Sequence, residues 1–107
     1  MGNNGKQIHT NTLNPSDLGH RQMLVEMEER FLTVCNRYIK KWGIELVIPE
    51  SLRPDFVRWR QMVSRHNKGD YRHTEAEWES IKSIAQWTVD ENCKICDQPP
   101  VTVEWGG

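Results

Sequence analysis

The stretch Ser16–Trp42 reads SDLGHRQMLVEMEERFLTVCNRYIKKW, and its apolar residues recur with the period of an α-helix. At about 100° of rotation per residue, a wide group of side chains falls on one face of that helix. Its members are His20, Met23, Leu24, Met27, Phe31, Val34, Cys35, Tyr38 and Trp42. Together with a second aliphatic row beside it, this face forms an apolar arc that is wider than a surface helix needs. We therefore expect the helix to have neighbours on two sides.

A second row of aliphatic residues lies beside that face and repeats at every seventh position, through Leu18, Val25, Leu32 and Ile39. The row covers only about three heptads, which is short for a free-standing coiled coil. We therefore expect it to be buried either against another part of the chain or against a second copy in a homodimer. Whichever of the two covers the row decides the oligomeric state.

Length and composition indicate one soluble domain. The chain has 107 residues, of which 36% are hydrophobic and 27% charged, and its formal net charge is −1. That balance provides no overall attraction to nucleic acid or to an anionic membrane. No apolar run reaches the roughly 20 residues of a spanning helix, and the polar first residues lack a secretory signal. Three cysteines argue against a disulfide framework, so we expect a cytoplasmic protein with reduced thiols and no membrane contact.

Two further helices are predicted downstream. The second covers Ser51–Asn67, with Pro54 in its first turn, where a proline is tolerated. The third opens at Thr74, followed by Glu77 in a capping-box pattern, and runs to about Asn92. Short connections favour antiparallel neighbours. The predicted fold class is therefore mainly α, a three-helix bundle around the long first helix.

The remaining segments complete this architecture. Residues 1–14 are rich in Asn, Gly and Thr and are predicted to be a flexible N-terminal tail before a single helical domain at 15–107. The segments 44–48 and 101–105 are rich in β-branched residues. Both would lie at the same end of the bundle, and we expect them to pair as a small two-stranded β appendage.

The most specific chemical motif is Cys93-Lys94-Ile95-Cys96. Two cysteines at this spacing can supply half of a tetrahedral zinc site. The other two zinc ligands are not predicted nearby. His66 and His73 are predicted at the opposite end of the bundle, about 27 Å away along a helix that rises about 1.5 Å per residue. Zinc at Cys93 and Cys96, including a site shared between two chains, thus competes with two unliganded thiols that pack a turn. A redox role is disfavoured because the pair follows the C-terminus of a helix.

A second metal hypothesis involves three histidines. His20, His66 and His73 are predicted at one pole of the bundle. Three imidazoles can bind zinc and leave the fourth position open for water. The alternative is that His20 and His66, which lie on apolar faces, are hydrogen-bonded core residues.

Charge is segregated along the sequence. Residues 53–72 contain six cations against two carboxylates, and residues 74–97 contain six carboxylates against two lysines. The basic segment predicts a nucleic-acid interface formed by Arg58, Arg60, Arg65, Lys68 and Arg72. The alternative is that the basic and acidic helices complement each other across a solvated groove.

Two tryptophans exceed the needs of a small core. Trp87 is predicted on the polar side of the third helix, and Trp105 lies near the chain end. Exposed Trp beside Arg is typical of protein-interface anchors. We therefore predict Trp87, Trp105, Arg58 and Arg65 as partner-binding residues, unless another segment covers the two rings.

No nucleophile, acid–base pair or phosphate loop forms a convincing catalytic constellation in the sequence, so no catalytic residues and no cofactor are predicted beyond the zinc alternative. The leading hypothesis is a small non-enzymatic regulatory, adaptor or inhibitor protein that acts through protein–protein contact. The alternatives are a nucleic-acid-binding protein using residues 53–72 and a zinc-binding small domain with Cys93 and Cys96 as a half-site.

Overall fold

Three helices dominate the computed structural model, which describes residues 12–13, 15–70 and 72–105, with side chains for 22–70 and 72–104. Helix α1 spans Pro15–Trp42, α2 spans Arg53–Asn67 after a 3-10 turn at Glu50–Leu52, and α3 spans Glu75–Ile95. The predicted mainly helical three-helix bundle is confirmed. Helix α3 makes the larger contacts with both of the other helices, whereas α1 and α2 touch only narrowly. No helix in the described part of the chain is long and apolar enough to cross a membrane.

The two-stranded appendage exists, but its partner strand was predicted wrongly. Strand β1, Thr12–Leu13, pairs in parallel with β2, Glu104–Trp105. The segment 44–48 forms no strand. Of the predicted tail, residues 1–11 and 14 lie outside the described residues, while 12–13 contribute β1.

The segment before β2 is held by a side chain of α3, which explains why 44–48 finds no strand partner there. The Gln86 amide donates to the Val101 carbonyl at 2.9 Å and its oxygen accepts from the Val103 N–H at 2.9 Å. These two backbone groups are therefore satisfied without a second strand. Val103 is buried in the core beside α3.

The helix ends follow the signals in the sequence. The Thr74 hydroxyl accepts from the Glu77 N–H at 3.1 Å, and the Glu77 carboxylate accepts from the Thr74 N–H at 2.9 Å, which is the predicted capping box. Gly43 ends α1 in the left-handed conformation, with φ of 67°. Helix α3 continues one turn beyond the predicted Asn92, to Ile95, where the Lys41 ammonium donates to the Ile95 carbonyl at 2.8 Å.

The core joins all three helices. Its buried side chains come from α1 (Met23, Leu24, Met27), α2 (Phe56, Trp59, Met62), α3 (Ile81, Ile84, Ala85, Val89, Cys93) and Val103. A smaller cluster of Val34, Tyr38 and Ile95 closes the end near Trp42.

Trp87 does not project from the polar side of α3 as predicted. It is half-buried, with its ring centroid 6.2 Å from that of Phe31 and 5.9 Å from that of Phe56. The reason is that α3 packs against both neighbours, so its buried arc extends through Ser80 toward the side that the helical pattern assigned to solvent.

Candidate functional site

The outward face of α1 carries an uncovered row of large aliphatic side chains. Val25 is 43% exposed, Leu32 50% and Ile39 51%, and we call these three residues the outer stripe. The side chain of Leu18, the fourth member of the predicted row, is not among those described. One of the two expected outcomes was burial of this row within the monomer. The described part of the chain does not bury Val25, Leu32 and Ile39.

Exposed apolar surface continues beyond the end of α1. Trp42 was predicted on the core face but is exposed, as are Ile44 and Val47 in the following segment. The reason is that Lys41 already reaches Ile95, the last residue of α3, so Trp42 lies at the end of the bundle. Its ring meets that of Tyr38 edge-on at a centroid distance of 5.0 Å.

Polar contacts with α3 fix the orientation of α1. Tyr38 donates to the Glu91 carboxylate, and burial together with this contact raises the pKa of Tyr38 to about 12. Arg37 donates to the Asn92 side chain, and Lys41 pairs with Asp97 at 3.0 Å. The outer stripe is thus presented on a helix whose opposite face is anchored.

The charges beside the outer stripe are divided between its two halves. The acidic half contains Glu26, Glu28 and Glu29, with Arg30 paired to Glu26 at 2.9 Å. The basic half contains Lys40, because the neighbouring cations Arg37 and Lys41 point toward α3 and contact Asn92 and Asp97 there. Glu28, Glu29 and Lys40 are exposed, and none of the three has an ion pair within the described ranges.

Both predicted contact arginines are engaged with α3 instead. Arg65 donates to both carboxylate oxygens of Glu77, at 2.6 and 2.7 Å, and this hydrogen bonding lowers the pKa of Glu77 to about 2. Arg58 donates to the Ser80 hydroxyl at 3.2 Å, and Ser80 donates to Asp55 at 2.7 Å. These links join the basic and acidic helices, as the alternative interpretation of the charge pattern proposed.

The predicted nucleic-acid set is therefore depleted of available cations. Besides Arg58 and Arg65, Arg72 pairs with Asp70 at 3.1 Å. Of the five cations in this set, only Arg60 and Lys68 have no ion pair with any residue that the structure describes. The side chain of Trp105 is not described, so its predicted partner-binding role stays a prediction.

The two cysteines of the CxxC motif form the last turn of α3 and its cap, rather than a segment after the helix. Cys93 is buried in the core, and Cys96 is half-buried with its Sγ 3.8 Å from the Arg37 guanidinium. Within the described ranges, no group of three or more His, Cys, Asp or Glu side chains could hold a metal. Zinc at Cys93 and Cys96 stays a prediction that requires ligands from outside these ranges or from a second chain.

The three histidines do not form a metal site within the described residues. His66 is buried in α2, and His73 stacks on Trp78 at a centroid distance of 5.3 Å. The side chain of His20 lies outside those described. The catalytic-zinc hypothesis for these residues has no geometric support.

The difference in burial between the cysteines predicts their chemical reactivity. In native protein treated with a thiol reagent, Cys93 should react at least about a hundredfold more slowly than Cys96, because its modification requires the core to open. Burial raises the pKa of Cys35, which should also slow its reaction. Peptide mass spectrometry over time measures all three rates, and denaturant should make them similar. Equal native rates for Cys93 and Cys96 would contradict the placement of Cys93.

A groove of about 490 Å³ lies between α1, α3 and the segment before β2. Val34, Val89 and Cys93 are among its apolar residues, and Arg30 and Arg37 are among its charged ones. Because Arg30 pairs with Glu26 and Arg37 with Asn92, both guanidinium groups already have partners. The groove is therefore a weaker candidate than the outer stripe.

Comparisons with known proteins provide no functional assignment. Protein-family models, curated proteins and solved structures gave no match to this chain. The candidate site is thus defined by the surface of the chain itself, as the outer stripe and the exposed residues that follow it.

Proposed function

We propose that this is a small non-enzymatic protein of the regulatory, adaptor or inhibitor class that acts through protein–protein contact made by the outer stripe. The observation that carries the proposal is the alignment of Val25, Leu32 and Ile39, each about half exposed, on one face of one helix. Single exposed apolar residues are ordinary, but three large ones aligned on one helix face are typical of an interaction surface.

The helical setting supports the same function. Side chains seven residues apart point the same way and form a linear set of anchors, as in helix-mediated recognition. The opposite face of α1 is buried through Met23, Met27 and Val34. Because that face holds the helix in place, the partner meets a preformed surface and loses little conformational entropy.

The contact surface proposed here differs from the one predicted from sequence. Arg58 and Arg65 bind groups on α3, and Trp87 packs on Phe31 and Phe56. These residues support the bundle, and the outer stripe replaces them as the proposed point of contact. The nucleic-acid alternative receives less support, because three of its five cations already pair with groups of the chain.

Site-specific photo-crosslinking tests the proposal. A benzophenone amino acid at Leu32 should yield a discrete crosslinked species in cells that produce the protein, because Leu32 lies in the middle of the outer stripe. The same residue at Val57, which is 52% exposed on α2, is the matched control and should yield little. Absence of a product from Leu32, or equal products from both positions, would contradict the proposed function.

A further inference from the structure

The outer stripe has the properties of a self-complementary surface. A twofold interface requires that when residue i contacts residue j of the partner, j also contacts i. On α1 the exposed carboxylates Glu28 and Glu29 precede the exposed Lys40 along a single apolar row, while Arg37 and Lys41 contact α3. Antiparallel pairing of two such helices brings these carboxylates toward Lys40 of the other copy, whereas parallel pairing brings like charges together.

We propose that the partner of the outer stripe is a second copy of this chain, bound with its α1 antiparallel. This inference rests on the proposed function and names the partner of that surface. The register is indicated by Glu29 and Lys40, two exposed charges without described ion pairs that lie beside the stripe. At about 100° per residue they lie within about 20° of each other, on the same side of the stripe. A twofold axis perpendicular to the two helices places this side of one stripe next to the same side of the other stripe. Glu29 of each copy therefore faces Lys40 of the other.

The same register also accounts for the exposed surface beyond α1. When Glu29 lies level with Lys40 of the second copy, Val25 lies level with the end of the partner helix. Trp42 and Ile44 are exposed at that end. The two Leu32 side chains are then about 7.5 Å apart along the helix axis, at about 1.5 Å of rise per residue. At this spacing they interdigitate between the two helices. One arrangement thus covers the outer stripe and part of its extension.

The size of the surface sets the expected affinity. From Val25 to Ile39 the stripe extends about 21 Å at about 1.5 Å per residue, so the contact belongs at the small end of specific interfaces. We expect a dissociation constant on the order of micromolar. The monomer of 12.6 kDa should therefore be detectable at high dilution.

Sedimentation equilibrium over a concentration range centred on micromolar tests the dimer. The average mass of wild-type protein should rise from 12.6 kDa toward twice that value. Leu32→Glu should weaken association at least about a hundredfold, because it places two carboxylates in the apolar centre. Val57→Glu changes an equally exposed residue on α2 and should associate like wild type. Ile39→Glu should repeat the effect of Leu32→Glu, and circular dichroism should show native helix content in all three variants.

Charge reversal tests the orientation. Glu29→Lys should weaken association about three- to tenfold, because it opposes two lysines at each end of the interface. Adding Lys40→Glu in the same chain recreates opposite charges in the antiparallel register and should restore wild-type association. Failure of Lys40→Glu to restore it would overturn the antiparallel arrangement.

Two outcomes overturn the homodimer and separate it from the proposed function. Wild-type protein that keeps the monomer mass at all concentrations contradicts the second copy as partner. If Leu32 then still crosslinks in cells to a protein of another mass, the contact function stands and only the homodimer fails. If Leu32 crosslinks to nothing and the protein is monomeric, both fail.

Discussion

Replacement of Phe56 by alanine is expected to lower the free energy of unfolding by about 3–5 kcal/mol, the usual cost of removing a buried phenyl ring. The ring of Phe56 lies 5.5 Å from those of Phe31 and Trp59 and 5.9 Å from that of Trp87. These partners belong to all three helices, so the cavity would loosen the whole bundle. Denaturant unfolding followed by circular dichroism and tryptophan fluorescence measures the effect.

Val57→Ala is the matched control for Phe56→Ala. Val57 is the next residue of α2 and is exposed, so its truncation should change the free energy of unfolding by less than about 0.5 kcal/mol. The native fluorescence should also change only in Phe56→Ala, because Trp59 and Trp87 contact the lost ring. A cost below about 1 kcal/mol for Phe56→Ala would contradict the central position of this ring.

Replacement of Glu77 by glutamine should cost about 3 kcal/mol at pH 7. The two hydrogen bonds from Arg65 and the bond from the Thr74 N–H hold the pKa of the Glu77 carboxyl at about 2, against an ordinary value of 4.5. A shift of this size corresponds to about 3 kcal/mol of preference for the charged carboxylate in the folded state. Glutamine keeps the shape and part of the cap but cannot replace the charge.

The same pKa predicts an acid dependence of stability. Because folding lowers the pKa of Glu77, its contribution is fully present above about pH 4.5 and is lost as the pH falls through about 2. The difference in unfolding free energy between wild type and Glu77→Gln should therefore shrink across this interval. Glu75→Gln, an exposed change in the same helical turn, should alter stability by only a few tenths of a kcal/mol. A constant difference down to pH 2 would contradict the role of the carboxylate charge.

The sequence was sufficient for the helices because their signals are local. The period of apolar residues placed α1 and α2 to within two residues, and Thr74 with Glu77 marked the start of α3. The C-terminus of α3 was predicted about one turn too early, because Cys93 and Ile95 are buried core residues of the helix although they resemble the start of a loop motif. Local pattern alone does not distinguish these two settings.

The features that the sequence missed depend on which helices become neighbours. The wide arc of α1 suggested two neighbours, but α3 takes the central contacts with both other helices. As a result, Trp87 is drawn into the aromatic cluster while Leu32 and Ile39 stay exposed. Similarly, Arg65 could not be assigned to a partner until α2 and α3 were seen side by side. The sequence therefore reveals the aliphatic row that forms the candidate surface, but only the fold shows that this row is exposed.

The most direct test of the account is the solvent exposure of the outer stripe in wild-type protein. Methyl NMR with a soluble paramagnetic probe reports it without any substitution, with exposed Val57 and buried Ile84 as references. At high dilution, the Leu32 and Ile39 methyls should be attenuated like Val57, and as concentration rises they should become protected while Val57 stays attenuated. Protection like that of Ile84 at every dilution would show that the chain covers its own stripe, and attenuation like that of Val57 at every concentration would show that no second copy binds it. The first result would contradict the proposed contact surface, and the second would contradict the homodimer.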